Sequence, residues 1–219
     1  MADKRHIATF NARPLFAFAR MVRYDANTPD ALRHFLVEFH KDYAILVATD
    51  GVILGAYHWY DGRTPEIAED IVNTSWLIPT TKFTEDPEVI GEASFDLCDD
   101  ALVLTWTEAV DSPIPLLRNA HGSNPVYPEW RLATRPRKLR GDRSLVNAIL
   151  FERAIATARY IAPRFDTVLA LVMRNIGERT ALFFNGIDDL FIVIANALLS
   201  PASTDELEMD FAKTIQHFS

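Results

Sequence analysis

The sequence predicts an α+β domain with a mainly antiparallel sheet, built from helix–hairpin units whose helices pack on one face. Turn dipeptides join short segments of alternating apolar residues, as in antiparallel hairpins. Other segments begin with capping residues and continue with apolar residues at helical spacing. The 219 residues are 49% hydrophobic and 24% charged, which suits one packed core. We therefore expect a single domain over residues 1–219.

The first part of the chain is predicted to form a strand, a helix and a hairpin. Residues 14–24 alternate in hydrophobicity and predict a strand. Thr28-Pro29-Asp30 has the residue types of a helix start, and apolar residues at helical spacing follow it. Asp50-Gly51 favours a type I′ turn, in which both central residues have positive φ. The segments 44–49 and 52–60 on either side are the predicted hairpin strands.

The middle of the chain repeats this order and then becomes irregular. Thr64-Pro65-Glu66 predicts a second helix start, and Asp99-Asp100 predicts the turn between strands at 89–97 and 101–107. Proline is excluded from helix interiors and central strands. A long loop rich in proline and basic residues is therefore expected at about 111–141. Its prolines are Pro113, Pro115, Pro125, Pro128 and Pro136.

The last third is predicted to hold three further helices and a hairpin. Residues 142–162 have the clearest helical stripe, and residues 167–173 and 180–185 are compatible with a third hairpin. Residues 187–199 fit either a strand or a buried helix, and we favour the helix. A capping box at Ser203 and Glu206 predicts an amphipathic C-terminal helix.

Composition sets several function classes aside. Cys98 is the only cysteine, so an internal disulfide and a cysteine-based zinc site are excluded. The glycines do not form a nucleotide-binding loop, and the histidines lack metal-ligand spacing, so we expect no cofactor and no metal. We see no signal peptide, and the longest apolar run is too short to span a membrane. A cytoplasmic protein without membrane contact is expected. The net charge of −8 argues against nucleic acid as a partner.

Two histidines are candidates for catalysis. His121 lies in a polar loop, and His58 shares one face of its predicted strand with Tyr60, opposite Trp59. An exposed loop tip and a half-buried strand residue are the simpler interpretations. The alternative is an enzyme for a small anionic or phosphorylated substrate, whose site would add nearby arginines to one of these histidines. Those arginines are Arg135, Arg137 and Arg140.

One segment stands out from the acidic composition. Residues 131–143 carry six basic residues and one acid, Asp142, so the segment has a charge of +5 and the remainder −13. Arginine binds phosphate and carboxylate with two parallel hydrogen bonds. A protein patch, a phosphate-bearing ligand and nucleic acid are the candidate partners, whereas a solvated or self-paired loop is the simplest interpretation. The candidate partner-binding residues are Trp130, Arg131, Arg135, Arg137, Lys138, Arg140 and Arg143.

These observations favour a non-catalytic interaction or regulatory module that contacts another protein or a second copy of itself. They leave open whether the chain is an enzyme. An enzyme with a histidine–arginine site is the first alternative. Nucleic-acid binding through residues 131–143 is the second, and it predicts an affinity that falls steeply with salt.

Overall fold

The computed structural model describes residues 4–60, 67–83, 91–99, 101–106, 113–120, 126–134, 146–162, 171–175, 179–184, 187 and 189–195. The strands are β1 (Lys4–Asn11), β2 (His34–Phe39), β3 (Ala44–Thr49), β4 (Ile53–Trp59), β5 (Ser75–Pro79), β6 (Glu92–Cys98), β7 (Ala101–Trp106), β8 (Ile114–Pro115), β9 (Leu117–Arg118), β10 (Leu171–Asn175), β11 (Arg179–Phe184) and β12 (Leu190–Ala195). The α-helices are α1 (Arg13–Met21), α2 (Arg131–Thr134) and α3 (Ala148–Ile161). In this part of the chain, no helix has both the length and the apolar character to cross a membrane.

The strands form two sheets. The large sheet has the order β10-β11-β12-β4-β3-β2-β5-β9, and the small sheet has the order β1-β6-β7-β8. Every strand pair in the described residues is antiparallel. The prediction of a mixed fold with mainly antiparallel sheets is therefore confirmed. The helices within the described ranges are few.

The main core joins one face of the large sheet to the small sheet. Phe10 of β1 stacks on Trp59 of β4 with 4.8 Å between ring centroids. Phe95 of β6 meets Phe39 of β2 edge to face at 5.2 Å. The indole N–H of Trp59 donates to the carbonyl of Asn11, which satisfies its one polar atom. Large rings from both sheets therefore pack together in one buried layer.

Helix α1 replaces the strand predicted at residues 14–24, so that prediction is wrong. Pro14 lies in the first turn, where its missing N–H costs nothing. Six of the nine helical residues are buried, and five of them are consecutive, at residues 14–18. An uninterrupted apolar run does not by itself distinguish a helix from a strand. Gly55 of β4 lets this helix approach, because a Cβ there would lie 2.7 Å from Cε of Met21.

Two further predicted helices are strands. The predicted start at Thr28 leads into a short 3-10 turn, Asp30–Arg33, and then into β2, while residues 187–199 contain β12. Thr28 instead accepts the backbone N–H of Asp25 and belongs to a preceding turn. Both strands are central in the large sheet and buried on two faces. Strands of this kind have continuous apolar runs that resemble buried helices.

The predicted hairpins are confirmed, although one turn differs in detail. Strands β3 and β4 pair, as do β6 with β7 and β10 with β11. Asp99 has φ 53°, as expected at a tight turn. The turn after β3 is not type I′, because Gly51 has positive φ and Asp50 does not. The Asp50 carboxylate instead accepts the backbone N–H groups of Val52 and Ile53 in a longer loop.

The remaining predictions are met in part or lie outside the described residues. Residues 67–73 form a turn rather than the helix expected after Thr64, and β5 follows. The predicted loop at 111–141 contains β8, β9 and α2. Helix α3 begins later than predicted, because the Asn147 side chain caps it by accepting two backbone N–H groups. The C-terminal helix predicted from Ser203 lies outside the described residues.

Candidate functional site

The large sheet has two differently used faces. One face belongs to the main core, and we call the other the outer face. A second apolar cluster covers the middle of the outer face, and Tyr127 from the segment 126–134 is buried in it. Trp130 and Ala133 pack against the same cluster. The sheet residues of this cluster are Leu36, Val47, Leu54, Ala56, Leu77, Ala181 and Val193.

A tryptophan, an arginine and a glutamate meet at the border of that cluster. Both terminal nitrogens of Arg131 donate to the Glu38 carboxylate, at 3.0 and 2.6 Å. The guanidinium also lies 4.4 Å from the centroid of the Trp130 ring, whose N–H donates to Glu38 at 3.2 Å. Hydrogen bonding to Glu38 raises the pKa of Arg131. This contact holds α2 on the outer face, and it engages both terminal nitrogens of the arginine.

Four rings continue the outer face beyond this contact, and we call them the aromatic row: His40, Tyr43, His58 and Tyr60. His40 stacks on Tyr43 with 4.5 Å between ring centroids, and Tyr43 lies 4.2 Å from His58. His58 and Tyr60 are 6.4 Å apart. Tyr60 is 48% exposed, so the row ends in solvent.

Strand register explains why these rings meet. Glu38, Ile45 and His58 are cross-strand partners on β2, β3 and β4. The turn after β2 is closed by the His40 N–H bonding to the Tyr43 carbonyl. Because side chains alternate along strands, His58 points away from Trp59, which is in the main core. The prediction that these two residues occupy opposite faces is confirmed.

An exposed carboxylate lies beside the aromatic row. Asp189, directly before β12, lies 3.3 Å from Nδ1 of His58, and both side chains are about half exposed at 52% and 41%. Burial lowers the pKa of His40. Glu38 opposes this shift, whereas Arg131 and His58 reinforce it. The row, Asp189 and the Arg131–Glu38 contact therefore lie beside one another on the outer face.

The predicted site residues divide between this surface and the undescribed segments. His58, Trp130 and Arg131 lie on the outer face, and Arg131 is engaged by the chain's own Glu38. The other candidates, which stay predictions outside the described residues, are His121, Arg135, Arg137, Lys138, Arg140 and Arg143. Sequence reasoning missed Tyr43 and Asp189. Tyr43 could have been found, because it extends the alternation of the strand predicted at residue 44. No local pattern could have found Asp189, because its position beside His58 depends on the pairing of β12 with β4.

A hydroxyl–imidazole–carboxylate chain lies on the small sheet. His6 Nδ1 is 3.0 Å from a carboxylate oxygen of buried Asp96, and its Nε2 is 3.2 Å from the Thr9 hydroxyl. This order occurs at nucleophilic sites. However, His6 pairs with Asp96 and Thr9 with Ser94 as direct partners between β1 and β6, and Lys4 shares the same carboxylate at 3.1 Å. These contacts are cross-strand pairs that stabilise the sheet.

The two longer helices carry more positive than negative charge. The Arg153 side chain of α3 is only 11% exposed and bonds Asp50 at 2.5 Å, which ties the helix to the turn after β3. Tyr160 of the same helix receives Arg20 of α1 over its ring, 4.5 Å from the centroid. The charged residues of α1 and α3 are Arg13, Arg20, Glu152, Arg153 and Arg159.

Comparison with known proteins gives similarity of structure only. No protein-family model and no curated protein sequence matches the chain. The fold is similar to the DNA polymerase III β subunit of Thermotoga maritima, with 11% identity, a TM-score of 0.53, and coverage of 92% of this chain and 67% of that chain. A DnaN sliding clamp from Pseudomonas aeruginosa bound to griselimycin is similar at 9% identity and a TM-score of 0.55, covering 91% and 67%.

A third similar structure is the DNA polymerase sliding clamp of Bacillus subtilis, with 12% identity, a TM-score of 0.51 and coverage of 91% and 66%. The chain therefore spans about two thirds of the length of these proteins. Its fold resembles that of sliding clamps, and identities this low show the fold alone.

Proposed function

We propose that this chain is a non-catalytic module that works through contacts with other proteins or with further copies of itself, in a role like that of a sliding clamp. The observation that carries the proposal is the similarity of fold to DNA polymerase sliding clamps over about nine tenths of the chain. We propose further that residues 1–219 act as one unit, without a cofactor or metal.

The chemistry of the outer face supports a protein-contact role. Aromatic residues are enriched where proteins meet, because their large surfaces bind at low entropic cost. His58 lies on an exposed sheet face beside Tyr43 and Tyr60. An enzyme site would instead gather a histidine, a nucleophile or acid–base partner, and arginines in a concave pocket. The enzyme alternative requires His121 or His58 beside Arg135, Arg137 and Arg140, and it stays a prediction.

Retention on circular DNA tests the clamp-like role. A protein that slides along DNA escapes from the ends of a linear molecule but stays on a closed circle. We expect the full chain, together with its native partners, to co-elute with nicked circular plasmid and to be lost after one restriction cut. Equal retention on both forms, or none on either, would contradict a clamp-like role. Sedimentation velocity of the purified chain measures self-association separately.

Nucleic acid is the second candidate partner, and one observation favours it. Helices α1 and α3 together carry one glutamate and four arginines, of which Arg153 is paired with Asp50, in a chain of net charge −8. Because the structural neighbours are DNA polymerase subunits, the expectation against nucleic acid loses its support. We expect Arg159→Glu, on the exposed surface of α3, to weaken DNA retention and reduce its salt dependence, because phosphate contacts release counterions. Glu152→Gln, on the same helix, is the matched control and should leave retention intact or strengthen it.

A further inference from the structure

The Trp130–Arg131–Glu38 contact shows how this chain binds a guanidinium group. The guanidinium stacks on an indole ring and donates two hydrogen bonds to one carboxylate. Such pairing combines cation–π attraction with bidentate geometry that lysine lacks. Arginine on an aromatic ring recurs elsewhere in the chain, where Arg118 lies over Trp76.

The aromatic row offers the same two components next to that contact. The ring faces are those of His58 and Tyr60, and the carboxylate is that of Asp189, which is 52% exposed and 3.3 Å from His58. In the described part of the chain, no lysine or arginine lies over the rings of Tyr43 or Tyr60.

The charges around the row favour a cation. Glu38 is neutralised by Arg131, and the turn between β2 and β3 carries one charge of each sign, at Lys41 and Asp42. Among the described residues, the exposed carboxylate of Asp189 is then the dominant charge beside the rings. Its sign agrees with the chain's net charge of −8, which attracts basic partners.

We propose that the aromatic row binds an arginine side chain of a partner protein. The guanidinium stacks on the rings of Tyr60 and His58 and donates two N–H groups to Asp189. This binding role rests on the proposed function above, because it assigns a partner to the outer face. The two can fail separately, because circular-DNA retention does not require Tyr60 and peptide binding does not require DNA.

Fluorescence anisotropy with a labelled peptide of alternating glycine and arginine provides the test, using the full chain. Matched peptides replace arginine with lysine or with glutamine. We expect the arginine peptide to bind at least threefold more tightly than the lysine peptide, and the glutamine peptide not to bind detectably. We expect Tyr60→Ala and Asp189→Asn each to weaken binding of the arginine peptide about tenfold, because each removes one of the two components.

Two control variants separate the row from general surface effects. Tyr60→Phe keeps the ring and should keep most of the affinity. Phe183→Ala removes a 41% exposed ring elsewhere on the large sheet and should leave affinity unchanged. Tyr60 follows the last residue of β4 and is half exposed, so its replacement is expected to leave the thermal unfolding midpoint close to that of the original chain.

Three results would overturn the proposal. Equal affinity for arginine and lysine peptides would indicate diffuse attraction between charges. Full affinity in Tyr60→Ala would exclude the row as the binding surface. Tighter binding of a single-stranded oligothymidylate than of the arginine peptide, with loss in Tyr60→Ala, would instead assign the row to nucleobase stacking.

Discussion

The two faces of the large sheet differ in how far their ion pairs are shielded from water. On the core face, the Arg153–Asp50 ion pair is closed off, with side-chain exposures of 11% and 3%. On the outer face, Arg131 and Glu38 pair with exposures of 45% and 16%, and the aromatic row opens into solvent. Similar chemistry therefore has different consequences, because water screens one pair and not the other. Changes on the core face should affect folding, and changes on the outer face should mainly affect binding.

Removing Arg153 tests this contrast with the largest expected effect. Arg153→Met leaves the Asp50 carboxylate buried without its cation, which costs about 3–5 kcal/mol of unfolding free energy. Asp50 also accepts backbone N–H groups from Arg23, Val52 and Ile53, so it cannot turn to solvent without loss. Urea denaturation measures the change as a lower midpoint at constant slope.

The double variant Asp50→Asn with Arg153→Met is the control. An asparagine retains an acceptor for the backbone N–H groups of Val52 and Ile53 and carries no charge, so the double variant should be more stable than Arg153→Met alone. A loss below about 1 kcal/mol in the single variant would place this pair in the same energetic class as exposed ion pairs.

Gly55→Ala tests how tightly the core face is packed. The new Cβ would lie 2.7 Å from Cε of Met21 and 3.0 Å from Cε1 of Phe18, and both neighbours are fully buried. Overpacking of this kind costs about 1–3 kcal/mol. Thermal or urea unfolding gives the value. Repeating the change in a Met21→Ala background should reduce the cost, and an unchanged cost would show that α1 shifts as a body instead.

Glu38→Gln applies the same logic to the outer face. The variant removes the charge that Arg131 contacts while keeping an acceptor for the indole N–H of Trp130. Because the Arg131 side chain is 45% exposed, we expect a loss of only about 0.5–1 kcal/mol. A double-mutant cycle with Arg131→Met isolates the pairwise energy. A coupling as large as that of Arg153 with Asp50 would remove the distinction between the faces.

The sequence predicted those elements whose two faces differ, and it misled where both faces are buried. The hairpin of β3 and β4 was readable from turn residues and alternation, as was the outward position of His58. Strands β2 and β12 carry continuous apolar runs, so their hydrophobic period does not distinguish strand from helix. The prediction for helix α1 was wrong for a related reason, because its five consecutive buried residues, 14–18, hide the helical spacing.

The candidate site was readable only in part, because strand pairing between distant segments assembles it. Alternation placed His58 and Tyr60 together, and the composition of residues 131–143 drew attention to Arg131. No local pattern indicates that Glu38 receives Arg131, or that Asp189 lies beside His58, since both contacts depend on the order of strands in the large sheet. The complete aromatic row could therefore be recognised only in the folded chain.

The pH dependence of stability provides the mildest test of the outer face. Burial holds the pKa of His40 below 6.5 in the folded chain, so the unfolded chain binds the proton more readily. The contribution of His40 to the free energy of unfolding is complete above about pH 6.5 and is lost as the pH falls through the pKa of His40 in the folded chain. His40→Gln should therefore lose less stability between pH 7.5 and 5.5 than the original chain, measured by urea denaturation at each pH. Glu38, Arg131 and His58 stay in place in this variant. A steeper loss of stability in the variant would therefore mean that Glu38 stabilises protonated His40, and the His40 end of the row would then resemble a core ion pair.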